Sequence, residues 1–129
     1  MIHDGARPLV TPAILEAGLL AAQEHQAAIA AVPVKDTIKI VEHGLVSTTL
    51  DRSQLWAIQT PQVFSFPLIY EAHHSPAAQG DVTDDAALLE QLGQHVAVFP
   101  GTYTNIKITT QEDLLIAEAL LLDTNPARF

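Results

Sequence analysis

The run Ala27-Ala28-Ile29-Ala30-Ala31-Val32-Pro33-Val34 constrains the fold more than any other stretch of the chain. It is small and β-branched throughout, with no polar alternation of the kind a half-wet strand shows. Such a run is consistent with a strand covered on both faces, the usual condition in parallel α/β sheets. Upstream, Thr11-Pro12 is a strong helix start, since the threonine hydroxyl can take a free amide and proline fits the first helical position. Ile14, Leu15, Gly18, Leu19 and Ala22 then recur at helical spacing and predict a helix over about Pro12–His25. With the apolar pair Met1-Ile2 in front, the order is strand, helix, strand. That is a crossover unit, normally right-handed and parallel. The predicted class is α/β.

The opening octet Met1-Ile2-His3-Asp4-Gly5-Ala6-Arg7-Pro8 reads as a strand leaving its sheet. The apolar run stops, Gly5 permits a tight turn, and Pro8 blocks further pairing. Ligands of open α/β sheets collect beyond the carboxyl ends of strands. Asp4 and Arg7 are therefore candidate site residues, Asp4 for a metal or hydroxyl and Arg7 for a phosphate. An ion pair closing a turn explains them equally well, and spacing alone leaves both readings open. Two residues are too few for a strand, so the chain is expected to start after its sheet has begun.

Beyond Pro33, Thr37–Val41 and Val46–Leu50 are β-prone runs around Glu42-His43-Gly44-Leu45, a hairpin turn with Gly44 available for positive φ. A lone hairpin is barely stable in water, so this arm, about residues 35–52, is expected to lean on a second copy of the chain. Asp51–Gln62 reads as short and irregular. Phe66–Ala72 is a possible helix. Asp81-Val82-Thr83-Asp84-Asp85 offers caps and first-turn carboxylates for a helix over about Asp84–Leu92, ending at Gly93. Short strands are expected at His95–Phe99 and Asn105–Ile108. Thr109-x-x-Glu112 reads as a capping box opening a last helix to about Leu122. Its Leu114–Leu122 section is apolar nearly all round, which predicts packing on two sides. No repeat or low-complexity linker divides residues 1–129, which are read as one partial domain.

Charge narrows the function. The net charge is −9, with only six basic residues, Arg7, Lys35, Lys39, Arg52, Lys107 and Arg128. Nucleic-acid binding needs clustered cations and is excluded on that ground. Four of the six (Arg7, Lys35, Arg52, Lys107) lie in loop-like segments, a distribution suited to a small anion. Lys107, between Ile106 and Ile108, must reach water or an anion. An outward-facing strand lysine is the simpler account of it, and Arg52 beside Asp51 fits a surface pair. No apolar run approaches a membrane span, and the absence of cysteine rules out a disulfide framework and fits the cytosol. The histidines have no metal-ligand spacing, and Asp81, Asp84 and Asp85 are explained by capping. The six glycines are scattered, so no glycine-rich loop is available to wrap a polyphosphate.

Six blocks in order, His3-Asp4-Gly5-Ala6-Arg7-Pro8, Pro33-Val34-Lys35-Asp36-Thr37-Ile38-Lys39, Asp51-Arg52-Ser53-x-Leu55-Trp56, Gln59-Thr60-Pro61-Gln62, Thr83-Asp84-Asp85 and Asn105-Ile106-Lys107-Ile108-Thr109, together resemble one family. It is the 2-C-methyl-D-erythritol 4-phosphate cytidylyltransferase family of non-mevalonate isoprenoid biosynthesis. The resemblance implies a truncated Rossmann-like nucleotidyltransferase fold with a projecting β-hairpin arm. It implies attack of the methylerythritol phosphate on the α-phosphorus of CTP, with pyrophosphate leaving and Mg2+ assisting beside CTP. By that analogy Arg52 and Lys107 hold the phosphate for attack. Asp4 and Arg7 line the site, Asp4 touching substrate or metal, and Thr37 and Thr60 hydrogen-bond the substrate. The resemblance further implies a cytoplasmic homodimer whose arm carries Thr37, Arg52 and Thr60 across the subunit boundary. The family's glycine-rich loop precedes the His-Asp block, so this chain is expected to be the C-terminal portion, binding CTP poorly and turning over little by itself. A ribitol-5-phosphate cytidylyltransferase and a non-catalytic dimerisation remnant are the alternatives.

Overall fold

The strand predicted from the alanine-rich run exists as β1, Ala27–Pro33, and six of its seven residues are buried. Its side chains alternate between two separate cores. Ala27 and Ile29 face a cluster with Phe64, Ala72, Ala86, Leu88 and Leu89. Ala28 and Ala30 face another with Ile14 and Phe99. Alanine dominates because helices close in on both sides of the strand. Each large aliphatic side chain buried there, such as Leu89 or Ile14, contributes about 1.5–3 kcal/mol. The computed structural model describes residues 1–76 and 82–122; Asp81 and Arg128 lie outside them.

One core is closed by α1, Pro12–His25, whose N-cap Thr11 accepts a hydrogen bond from the Ile14 amide as predicted. The other is closed by α2, Phe66–His74, and α3, Asp85–Gln91, capped by Asp84. Between them lies a mixed sheet. β1 pairs in parallel with β5, Ala97–Pro100, and antiparallel with β4, Trp56–Phe64. Ile2 bridges antiparallel to Gln62 on the outer side of β4. The order is thus Ile2, β4, β1, β5, and the Ile2 segment runs parallel to β1, as the crossover reading expected, but with β4 inserted between them.

β4 corrects the expectation of an irregular segment over Asp51–Gln62. Pro61 and two glutamines hide a nine-residue strand. Gln59 and Gln62 are buried amides, and the pairing with β1 shifts between Ile29↔Gln62 and Ala31↔Ile58, so the strand accommodates its proline in a bulge. The Thr60–Pro61 peptide there is cis.

The arm is β2, Lys39–Glu42, and β3, Leu45–Thr49. Its turn has positive φ at His43 (52°) and Gly44 (81°), the signature of a two-residue hairpin turn matched to strand twist. All nine strand residues are exposed, so neither face of the hairpin is covered by the described residues.

Two further corrections fall near the C-terminal end of the described residues. Asn105–Ile108 is not a strand; it is a loop that turns at Asn105 and then hydrogen-bonds Ala6 through the Ile108 amide, because its polar groups pair with loop and side-chain partners instead of a ladder. The last helix, α4, Gln111–Leu122, starts one residue later than predicted. Its capping box is Thr110 with Asp113, since the Thr110 hydroxyl takes the Asp113 amide and Asp113 Oδ2 takes the Thr110 amide. Nor is α4 packed on two sides: Ala117 alone is buried, while Leu115 and Leu122 are 63% and 81% exposed. Its all-round apolar sequence meets no second layer among the described residues.

Candidate active site

The Ile2 bridge fixes where the first segment leaves the sheet. Ile2 donates to the Gln62 carbonyl at 2.8 Å and accepts from its amide at 2.9 Å. The chain then turns, with the Arg7 amide donating to the Asp4 carbonyl at 3.0 Å. The turn predicted from the glycine exists, although Gly5 keeps an ordinary φ. Beyond the strand end is a cavity of about 440 Å³, lined by Asp4, Arg7, Thr60 and Lys107 among others.

Asp4 and Arg7 form an ion pair at this turn. The pair closes the turn, with Arg7 Nε 3.4 Å from Asp4 Oδ2, and it also faces the cavity. The same carboxylate oxygen lies 3.2 Å from Lys107 Nζ. Arg7 is locked from behind, donating to the Asn105 carbonyl at 2.7 Å, with its side chain only 11% exposed. Lys107 is half-exposed and reaches the cavity from the loop after β5.

Thr60 sits in the same cavity, not at the arm. Its hydroxyl accepts from the Asp4 amide at 3.0 Å and lies 2.9 Å from His3 Nδ1. His3 Nε2 is 3.0 Å from the Arg7 carbonyl, which can only accept, so this nitrogen carries a proton. In the neutral imidazole Nδ1 is then an acceptor, and the Thr60 hydroxyl donates to it. What Thr60 offers the cavity is a lone pair. Ile58, Gln59 and Thr60 are consecutive yet all line this one cavity, which a regular alternating strand forbids and the bulge permits.

Asn105 holds the floor together. It is fully buried, and its amide donates to Thr60 O at 2.8 Å and Gln59 Oε1 at 3.2 Å. Gln59 donates in turn to the Thr102 carbonyl at 2.8 Å. A Cβ on Gly101 would collide with Gln59 Oε1, so the bare glycine admits this amide.

The opposite wall is Thr83, Asp84 and Asp85 at the start of α3. Asp84 caps the helix through Ala87 N (2.9 Å) and takes the Gln62 amide at 2.8 Å. Asp85 pairs with His73 at 2.7 Å. The cavity is therefore two-sided, with cations at one corner and carboxylates and a threonine lone pair along the rest. Asp4 is shared by two cations, and among the described residues no three His, Cys, Asp or Glu side chains converge. Asp4 is the strand-end carboxylate that faces the cavity.

Arg52 and Thr37 stand elsewhere. Arg52 lies in a 3₁₀ turn, Arg52–Gln54, at the arm root, donates to the Lys35 carbonyl, and lines a separate hollow of about 460 Å³ with Pro33, Ser53 and Trp56. Thr37 is exposed on the arm side of β1. Within one chain the structure brings together Asp4, Arg7, Thr60 and Lys107, and leaves Arg52 and Thr37 apart.

This architecture has known counterparts. Residues 1–123 match the IspD family, 2-C-methyl-D-erythritol 4-phosphate cytidylyltransferase. The chain belongs to the 2-C-methyl-D-erythritol 4-phosphate cytidylyltransferase family. It is 56% identical over 122 residues to the enzyme of that name from Syntrophotalea carbinolica, covering 94% of this chain and 52% of the relative. The Bacillus mycoides relative of the same name is also 56% identical, with 94% and 54% covered. Among solved structures it is similar to 4-diphosphocytidyl-2C-methyl-D-erythritol synthase from Anaerococcus prevotii, with TM-score 0.84 and 40% identity over 93% of this chain and 57% of that one. The chain thus spans about half the length of the curated cytidylyltransferases it matches. The fold is the expected Rossmann-like α/β arrangement with a hairpin arm.

Residue roles were only partly legible beforehand. Gln59, Gln62, Thr83, Asp84, Asp85 and Asn105 stand in the family blocks without roles, and only the Thr83–Asp85 stretch carries a local signal, as caps and first-turn carboxylates of a helix. The buried amides Gln59 and Asn105 carry no periodicity that could have flagged them, and His3 shows its role only through both ring nitrogens.

Proposed function

We propose that this chain carries the sugar-phosphate half of a cytidylyltransferase site, serving formation of 4-diphosphocytidyl-2-C-methyl-D-erythritol and pyrophosphate from 2-C-methyl-D-erythritol 4-phosphate and CTP. The observation that carries this is the meeting of Arg7, Lys107, Asp4 and Thr60 at one strand-end cavity. A phosphorylated polyol matches both of its sides. Its phosphate suits the Lys107 and Arg7 corner, and its hydroxyls can donate to Asp4 and to the Thr60 lone pair. Family membership and the names of the relatives favour methylerythritol phosphate over ribitol phosphate.

In the reaction a phosphate oxygen of methylerythritol phosphate attacks the α-phosphorus of CTP. A new P–O bond forms, the bond to the β-phosphate bridge breaks, and pyrophosphate departs. Lys107 and Arg7 hold the attacking phosphate and offset the repulsion between two anions. Magnesium, supplied with CTP, would offset the charge of the departing pyrophosphate. The scattered glycines supply no cradle for those phosphates, so turnover by this chain alone is expected to be slight. The proposed reaction is cytoplasmic, as the family resemblance implies.

Arg52 joins the site from a second copy. Support comes from its separation from the cavity and from an arm whose faces are uncovered by the described residues of its own chain. The test is complementation. Arg52→Ala and Lys107→Ala chains each lose methylerythritol phosphate binding by calorimetry, and mixing them restores about a quarter of the sites, those intact in a two-fold heterodimer. A mixture that recovers nothing, while each parent chain is folded, rejects the shared site.

A further inference from the structure

One short segment, Thr102–Lys107, touches both the cavity and the root of the arm. On the cavity side it supplies Asn105 to Thr60 and Arg7, and Lys107 to Asp4. On the other side Tyr103 turns outward. Its hydroxyl donates to the Pro33 carbonyl at 2.8 Å, and Lys35 Nζ stands 3.5 Å from its ring centroid. Pro33 pairs with Trp56 at the last rung of β1 and β4, where the chain departs for the arm. The Lys35 carbonyl in turn accepts the Arg52 guanidinium. These contacts form a continuous path: Tyr103 to Pro33 and Lys35, then Lys35 to Arg52.

We propose that Tyr103 is a positioning residue for Arg52, setting the arm root against the loop that carries Lys107. The geometry distinguishes this from a packing role. Tyr103 is 47% exposed and belongs to neither buried cluster. Both of its partners, a strand-end carbonyl and a lysine ammonium, lie at the base of the arm, where the aromatic face attracts the cation and the hydroxyl satisfies a carbonyl beyond the last ladder bond. The same loop fixes one phosphate-binding cation directly and the other through its own backbone. The inference rests on the reading that Arg52 handles the substrate phosphate.

The test compares methylerythritol phosphate binding by the whole chain with acrylamide quenching of Trp56, the only tryptophan, at the first position of β4. Tyr103→Leu is expected to weaken binding roughly three- to tenfold, the scale of one lost hydrogen bond, and to make Trp56 easier to quench at an unchanged melting temperature. Tyr103→Phe and Lys35→Met each remove one contact, so each should lose less, and they decide the matter if Tyr103→Leu does not fold. In an Arg52→Ala background Tyr103→Leu should have no further effect on binding. Additive losses, or unchanged quenching, overturn the proposal. Weakened binding in Arg52→Ala with full binding in Tyr103→Leu overturns it alone. Full binding in Arg52→Ala removes the Arg52 reading and the proposal with it.

Discussion

Lys107 Nζ lies 3.2 Å from Asp4 Oδ2, which joins a loop near the end of the chain to the turn near its beginning. The pair is part-exposed, so its contribution to stability is small, about 0–1 kcal/mol. Its consequence is for ligands, because an incoming phosphate competes with Asp4 for the ammonium. Asp4→Asn is therefore expected to tighten binding of inorganic phosphate several-fold while weakening that of methylerythritol phosphate, whose hydroxyls lose an acceptor. Calorimetric titration of the two ligands checks this, and a parallel change in both affinities contradicts it.

Asn105→Ala removes the donor that satisfies the Thr60 carbonyl and Gln59 Oε1 in a buried position. Buried acceptors left unpaired cost about 1–3 kcal/mol. The unfolding free energy from urea titration should fall by that amount, through a lower midpoint at an unchanged slope, and Arg7, held by the Asn105 carbonyl, should lose phosphate affinity as the loop loosens.

Gln62 ties β4 to the start of α3, donating to Asp84 and accepting from the Ala86 amide at 3.2 Å. Gln62→Leu keeps the volume and deletes both bonds. A loss of about 1–3 kcal/mol is expected, with amide exchange accelerated first in α3. Uniform acceleration across the sheet would show that the bonds do not act locally.

Asp113 is held below the usual carboxylate range, chiefly by the Thr109 amide, then by the Thr109 hydroxyl and the Thr110 amide. A depressed folded-state value stabilises the cap above the unfolded value of 3.8, and this is lost as pH falls below it. Amide exchange at Thr109 and Thr110 should therefore rise between neutral pH and pH well under 3.8, after correction for intrinsic rates. Asp113→Asn should abolish that dependence.

The limits of sequence reading are clearest at three places. β4 was hidden because its buried positions hold glutamines whose partners, Thr102, Asn105 and Asp84, come from other segments. Asn105–Ile108 looked like a strand because Ile106 and Ile108 alternate, but no neighbour presents a ladder to it. The apolar surface of α4 promised two-sided packing, and hydrophobicity alone cannot say what covers it.

What this sequence settled unaided were features decided within a few residues: the Thr11 cap, the positive φ of Gly44, and the two-faced burial of Ala27–Val32. Caps and turns close over three or four positions, and an unbroken apolar run needs cover whatever supplies it. Tertiary structure alone decided that Asp4, Arg7, Thr60 and Lys107 share one cavity and that Arg52 does not. Those separations are bridged only when the Ile2 bridge, the β4 bulge and the Asn105 loop are packed together, because a charge has no local signal for a partner far along the chain.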